Sequence, residues 1–174
     1  DEPLPTMCTT KQGKPFFAVR PDIHVSLSHS REYVLCALSD TPIGIDIEKV
    51  RPIKQGLDER VRSPEERACF DVFSSWVRKE SFIKWQGRDT QHFRHICFTG
   101  TKSKALGPNS KVNARVYCPL EGYRIAVCVS GQKPPRAIHM RNLNAQHRAQ
   151  TSQIEYAPVT MLRKLSHAHT PLSP

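Results

Sequence analysis

Two short stretches of this sequence carry acidic and basic side chains at spacings that suit a single site. In Gly44–Glu48, isoleucines alternate with other residues, so Asp46 and Glu48 project from one face of a predicted strand. Further along the chain, Glu80 and Lys84 are four positions apart and share one face of a predicted helix. Converging carboxylates repel one another unless a cation lies between them. The pattern therefore predicts a divalent-metal site, with Mg²⁺ as the expected ion and open positions for phosphate oxygens.

Each stretch also has an ordinary structural interpretation. A Glu and a Lys four positions apart are usually a solvated helix pair that contributes about 0.2–0.5 kcal/mol. An acidic pair at the end of a strand usually faces solvent. Trp76 is interpreted as core packing, and Lys79 as a solvated helix lysine rather than a phosphate contact. Taken one at a time these interpretations are preferred, and only the combination favours a site.

The two stretches resemble motifs of the 4'-phosphopantetheinyl transferases, most closely the surfactin-synthetase-activating type. The matching runs are Gly44-Ile45-Asp46-Ile47-Glu48-Lys49 and Trp76-x-x-Lys79-Glu80-Ser81-x-x-Lys84. Three more segments resemble other family motifs, namely Gly13-Lys14-Pro15, Ser26-Leu27-Ser28-His29-Ser30 and Gly122-Tyr123-Arg124-Ile125-Ala126-Val127-Cys128. Any one motif is weak, but together they follow the family's order and approximate spacing from Gly13 to Ser130.

The resemblance implies a reaction and its participants. The 4'-phosphopantetheine group of coenzyme A would pass to a serine of an apo acyl or peptidyl carrier protein, and 3',5'-ADP would leave. Asp46, Glu48 and Glu80 would hold Mg²⁺, with Mn²⁺ as a substitute. Glu80 and Lys84 would be catalytic, the first as proton acceptor for the serine and the second as a pyrophosphate contact that assists the leaving group.

The resemblance also implies a coenzyme A site formed by Lys14, Pro15, Ser28, His29 and Lys84. The histidine would contact phosphate, and the Lys-Pro pair would lie near the adenine and the 3'-phosphate. Both groups have a plainer interpretation, because a histidine in a turn or a Lys-Pro turn needs no ligand. For His29 the surrounding Ser-His-Ser motif favours function, whereas for Lys14 and Pro15 the two interpretations are balanced.

The implied fold is α+β, with antiparallel sheet packed by helices. The family fold is a pseudo-dimer of two similar lobes, and most of the first lobe would precede Gly13. Because only twelve residues precede it here, we expect an incomplete first lobe. We therefore expect weak or no transferase activity from this chain alone, with self-association as one way to restore the pocket wall.

The composition indicates a soluble protein with a modest core. Mean hydropathy is −0.50 over 174 residues, and no apolar run approaches membrane-spanning length. There is no secretory pattern at the start, so we expect a cytoplasmic protein with no membrane partner. Six cysteines without a C-x-x-C pair favour reduced thiols, and the histidine spacings give little support for zinc.

The net charge of +10 predicts anionic partners. We predict a transferase-like domain over 1–130 and a basic, flexible tail over 131–174, which carries 6 Lys/Arg and 1 acidic residue. The alternative function is a non-catalytic basic binding protein, or a degenerate transferase fragment, that engages acidic partners or nucleic acid. No nucleic-acid-binding motif is present, and such a protein would gain nothing from three converging acids.

Local patterns predict the elements that carry these residues. Strands are predicted over 24–28, 33–38, 43–48, 94–98, 112–118 and 123–129, with a polar turn at His29–Glu32 and an irregular segment over 1–15. Ser63-Pro64-Glu65-Glu66 has the features of a capping box, and Gly87 is a helix stop. We expect this helical span to break near Ser74-Ser75. In the tail we expect at most a short helix over Val159–Leu165.

Overall fold

The computed structural model describes residues 6–87, 96–99, 102–103, 112–131, 133–136, 138–141 and 159–163. Its strands are β1 Met7–Thr9, β2 Pro15–Phe17, β3 His24–Ser30, β4 Tyr33–Ser39, β5 Ile43–Lys49, β6 Phe98–Thr99, β7 Lys102–Ser103, β8 Val112–Tyr117, β9 Tyr123–Ser130, β10 His139–Arg141 and β11 Val159–Arg163. Its helices are α1 Leu57–Val61, α2 Pro64–Cys69 and α3 Val72–Gln86.

The strands form two sheets, and α3 packs on one of them. The first sheet has the order β1-β2-β3-β4-β11-β10, and the second has the order β5-β9-β8-β7-β6. Among the described strands all pairs are antiparallel except β10 with β11. Helix α3 lies against β5, β9 and β8. The expected α+β class with antiparallel sheet packed by helices is confirmed.

The second sheet separates two hydrophobic cores. One core lies between the sheets and contains Leu35, Ala37, Ile43, Ile45, Ile47, Tyr117, Tyr123, Ile125, Val127 and Val129. The other lies between the second sheet and α3 and contains Phe82, Ile83, Ile96, Phe98, Val112, Ala114 and Cys128. Because side chains alternate along a strand, β5 points its isoleucines into the first core and Gly44, Asp46 and Glu48 toward α3.

A ladder of serine hydroxyls joins the two sheets. Among the described strands, β5 lies at the edge of its sheet, so its outer N–H groups have no strand partner among them. The hydroxyls of Ser26, Ser28 and Ser30 on β3 accept from the N–H groups of Ile45, Ile47 and Lys49 at 3.1, 3.2 and 3.1 Å respectively. The alternate spacing of the serines matches the alternate N–H groups, and this match aligns β3 with β5.

Replacing Ser26 by alanine is expected to destabilise the protein by about 1–3 kcal/mol, because it leaves the buried N–H of Ile45 without an acceptor. Urea unfolding measures the loss. Ser30→Ala is the matched control, since its hydrogen bond is exposed and water can replace the hydroxyl. Equal losses in the free energy of unfolding would show that the buried hydrogen bond contributes no more to stability than the exposed one.

The helix signals were predicted correctly, but the position of the break was not. Ser63 caps α2 in a complete capping box with Glu66, and Gly87 ends α3 in the left-handed conformation with φ 66°. The break lies at Phe70–Asp71 rather than Ser74-Ser75. The physical reason is a second cap: the Asp71 carboxylate accepts from the backbone N–H of Ser74 at 2.9 Å, which starts α3 at Val72.

Several other local predictions are wrong. Strand β3 continues through His29 and Ser30, so the turn contains only Arg31, with φ 57°, and Glu32. The segment over 1–15 contains β1 and the start of a hairpin with β2. Strand β6 begins at Phe98, while residues 94 and 95 of the predicted strand lie outside the described residues.

The tail segment contributes strands rather than a helix. The predicted helix over Val159–Leu165 is wrong, because Val159–Arg163 form β11 and pair antiparallel with β4 over Tyr33–Ala37. This strand also pairs in parallel with β10. The proposed boundary between 130 and 131 stays a prediction.

All six cysteines are free thiols. In the described part of the chain, no helix has the length and hydropathy that crossing a membrane would require.

Candidate active site

The predicted acidic and basic residues line one cavity between β3, β5 and α3. The cavity has a volume of about 590 Å³, and its lining includes Ser28, His29, Asp46, Glu48, Trp76, Glu80 and Lys84. Strand β5 supplies the first two acids, and α3 supplies Glu80 and Lys84 one turn apart. These four side chains therefore line the same cavity, and their roles in a site stay a prediction.

Gly44 allows α3 to lie directly on the acidic strand. A Cβ added at this position would stand 1.9 Å from the carbonyl oxygen of Ser81 and 2.4 Å from the backbone nitrogen of Trp85. These two backbone atoms belong to the helical turn that bears Glu80 and Lys84. The missing side chain therefore sets how closely that turn approaches Asp46, two residues further along β5.

Lys84 and Asp46 form the charged centre of the cavity. The Lys84 ammonium lies 2.7 Å from Asp46 Oδ1 and donates to Ser28 Oγ at 2.8 Å. The Ser28 hydroxyl in turn donates to Asp46 Oδ1 at 2.8 Å. Burial raises the pKa of Asp46, and the positive charge and hydrogen bond of Lys84 oppose that rise.

The carboxyl group of Glu80 also has a raised pKa. Desolvation, followed by the negative charge of Asp46, raises its pKa from 4.5 to about 7, while Lys84 opposes the rise and Glu48 adds to it. Glu48 pairs with Arg51 at the more exposed end of the strand. An acid with a pKa near neutrality inside a cavity is a candidate for proton transfer.

The raised pKa predicts a pH-dependent loss of stability that Glu80→Gln should remove. Between pH 4.5 and about 7, folded Glu80 holds a proton that the unfolded chain has released, so the free energy of unfolding falls as pH rises. Allowing for solvent screening, we expect wild type to lose on the order of 1–2 kcal/mol relative to Glu80→Gln across this window.

Urea unfolding in EDTA at pH 4.5, 6 and 8 measures this difference, with the exposed Glu59→Gln as control. Titrating groups that do not interact with Glu80 are common to both proteins, so their contributions cancel in the comparison. Curves for wild type and Glu80→Gln that stay parallel over the whole range would contradict the assignment.

Two interpretations of α3 side chains need correction. Trp76 was assigned to core packing, but it is only half-buried and lines the cavity. Lys79 was assigned to solvent, but it is buried, with Nζ 2.8 Å from Glu66 Oε2. Its ammonium also donates to the carbonyl of Val61. Lys79 therefore joins three helices and does not face the cavity.

Lys14 and Pro15 line a second cavity of about 250 Å³ that adjoins the first. The two cavities share Leu27, Glu80 and Lys84. Lys14 and His29, two of the proposed coenzyme-contacting residues, thus line different cavities that both include Lys84. His29 is exposed on β3 and lines the larger cavity.

Carboxylate oxygens are suitable ligands for a hard cation, but two of the three acids already form ion pairs with basic side chains. Within the described ranges, no group of three His, Cys, Asp or Glu side chains stands close enough to hold an ion. Asp46 is paired with Lys84, and Glu48 with Arg51. Burial, followed by the negative charges of Asp46 and Glu48, raises the pKa of Glu80, and a divalent cation would relieve the repulsion among the three carboxylates.

Sequence reasoning missed several residues that support the site. The roles of Ser26 and Ser30 were open to detection, because three serines alternate along β3. The sequence indicated Glu66 only as part of a capping box. Its Oε2 also pairs with Lys79, and its Oε1 accepts from the N–H of Phe98. Arg51 carried no sequence signal for its pairing with Glu48.

The family model and the related proteins that match this chain belong to the same family. The model of the 4'-phosphopantetheinyl transferase superfamily matches residues 42–128, which include β5, α3 and most of β9. The chain is 31% identical over 156 residues to 4'-phosphopantetheinyl transferase psf-1 of Bacillus pumilus, covering 80% of this chain and 66% of that protein. It is 32% identical over 148 residues to Sfp of Bacillus subtilis (strain 168), covering 76% and 66%.

A third relative comes from a different genus. The chain is 30% identical over 139 residues to AcpT of Escherichia coli (strain K12), covering 72% of this chain and 67% of that protein. It spans 66% of the length of each Bacillus protein, just under two thirds. The matched region contains the acidic strand, the helix that carries Glu80 and Lys84, and the last core strand, and the chain belongs to the 4'-phosphopantetheinyl transferase superfamily.

Proposed function

We propose that this chain transfers 4'-phosphopantetheine from coenzyme A to a serine of an apo acyl or peptidyl carrier protein. The observation that supports this function best is the single cavity lined by Asp46, Glu48, Glu80 and Lys84 in a member of this superfamily. Transfer to a serine needs a place for the pyrophosphate, a neutralising charge and a proton acceptor. The cavity has candidates for each of these tasks.

Asp46, Glu48 and Glu80 are the proposed ligands of Mg²⁺, which Mn²⁺ would replace. When bound, such an ion neutralises and polarises phosphate oxygens. Lys84 already neutralises Asp46 in the cavity, so the cation and the lysine compete for that carboxylate. Lys84 is then the natural contact for the pyrophosphate, since its ammonium is half-buried and lies between the two adjoining cavities.

Glu80 is the proposed proton acceptor for the serine hydroxyl. A general base must reach the proton that it accepts, and the Glu80 carboxylate lines the cavity in which the serine would react. Lys84, one turn away, would stabilise or protonate the departing 3',5'-ADP. The two roles need the two side chains on one face of a helix, and α3 supplies that arrangement.

The remaining residues are proposed to line the coenzyme A site. His29 would contact phosphate from the exposed side of the larger cavity, and Lys14 and Pro15 line the smaller one. The Ser28 hydroxyl accepts from Lys84 and from the N–H of Ile47 and donates to Asp46. Since these bonds use its whole capacity, Ser28 would assist coenzyme binding through Lys84.

The test is the mass of an apo carrier protein after incubation with coenzyme A, Mg²⁺ and an excess of this chain. The excess allows even slow transfer to be detected. We expect the mass of one phosphopantetheine group to be added by wild type and by the exposed control Glu59→Gln, and to be lost with Glu80→Gln and Lys84→Met. A carrier modified equally by all four proteins would contradict the assigned residues, and an unmodified carrier in every case would contradict the activity.

A further inference from the structure

Lys14 contacts the C-terminal end of the helix that carries Glu80 and Lys84. Its ammonium donates to the backbone carbonyl of Trp85 at 2.6 Å. Its aliphatic stem lies beside Gly87, where an added Cβ would stand only 2.8 Å from Lys14 Cδ. The lysine thus reaches from the loop before β2 across to the last turn of α3.

This contact satisfies a general need of helix ends. The last carbonyl groups of a helix lack intrahelical partners, and they form the negative end of its dipole. At the end of α3, the N–H of Gly87 bonds the carbonyl of Ile83 and the Lys14 ammonium bonds that of Trp85. Burial lowers the pKa of Lys14, as expected for an ammonium withdrawn from water at this contact.

We propose that Lys14 is a positioning residue that fixes the last turn of α3, and through it the Lys84 side chain, rather than a direct ligand of the coenzyme 3'-phosphate. The inference rests on the proposed function only where it concerns coenzyme A. Trp85 immediately follows Lys84, so a shift at its carbonyl moves the ammonium away from Asp46. Loss of Lys14 would then weaken the contact with the pyrophosphate, a group remote from the 3'-phosphate.

Calorimetric binding of coenzyme A and of 3'-dephospho-coenzyme A distinguishes these roles. Lys14→Met keeps most of the stem and removes the ammonium, and the exposed Lys11→Met is the matched loss of charge in the same loop. We expect Lys14→Met to weaken both ligands by the same factor, about fivefold, and Lys11→Met to change neither. A loss confined to coenzyme A, or unchanged affinity for both ligands in Lys14→Met, would overturn the proposal.

Hydrogen exchange tests the same contact without any ligand. In Lys14→Met we expect the Gly87 amide to exchange about fivefold faster, while the Val77 amide in the middle of α3 is unchanged. Unchanged exchange at Gly87 would overturn the proposal. If wild type binds neither ligand but exchange at Gly87 accelerates in the variant, the proposed function fails and the positioning role of Lys14 stands.

Discussion

Gly44→Ala is expected to destabilise the protein by about 3 kcal/mol and to abolish coenzyme A binding at the candidate site. The added methyl group would meet the backbone of α3, with the Ser81 carbonyl oxygen at 1.9 Å and the Trp85 nitrogen at 2.4 Å. Backbone atoms cannot rotate away as a side chain can, so the whole turn must shift. That turn carries Glu80 and Lys84, and the 2.7 Å contact between Lys84 and Asp46 should be lost with it.

Urea unfolding and calorimetry separate the two effects of Gly44→Ala. The matched control is Val77→Ala, which destabilises the buried side of α3 by removing atoms and does not push the helix away. At a temperature where both variants are folded, we expect Val77→Ala to bind coenzyme A as wild type does and Gly44→Ala not to bind it. A Gly44→Ala protein with wild-type stability and affinity would refute the close approach of helix and strand.

Lys79→Met is expected to cost about 3–5 kcal/mol of stability, because it leaves the Glu66 carboxylate buried without its cation. The side chains of Lys79 and Glu66 are only 1% and 0% exposed, and their charged atoms are 2.8 Å apart. Glu66 also accepts from the N–H groups of Ser63 and Phe98, which fixes the carboxylate in place. It cannot move to water when the lysine is removed.

A double-mutant cycle, measured by urea unfolding, gives the coupling free energy between Lys79 and Glu66. The double variant Lys79→Met with Glu66→Gln should recover part of the loss, since neither side chain of the pair then carries a buried charge. Lys54→Met, at an exposed lysine, should change the free energy of unfolding by less than about 0.5 kcal/mol. If Lys79→Met changed the free energy of unfolding as little as Lys54→Met does, Lys79 would be solvated, as its sequence pattern predicts.

Features that depend on neighbours in the sequence were predictable. Alternation along Ile43–Glu48 required Asp46 and Glu48 to share a face, and β5 has that form. The capping box at Ser63 and the stop at Gly87 are likewise local. The four-residue spacing of Glu80 and Lys84 placed them on one face of α3, and both line the same cavity.

Features that depend on distant partners were not predictable. Lys79 has the spacing of a surface lysine, and only the approach of α2 to α3 supplies its buried partner Glu66. Strand β11 has no sustained alternation, and its structure follows from pairing with β4. The cap at Asp71 was missed because the apolar period continues across it, while its carboxylate bonds Ser74.

We propose that the acids of β5 and α3 form one cation-dependent site for coenzyme A. The most direct test is the calorimetric affinity for coenzyme A with and without Mg²⁺, for wild type, Asp46→Asn and the exposed control Asp22→Asn. We expect Mg²⁺ to strengthen binding by about tenfold or more in wild type and in Asp22→Asn, and to have no effect in Asp46→Asn. Equal strengthening in all three proteins, or none in wild type, would contradict the claim.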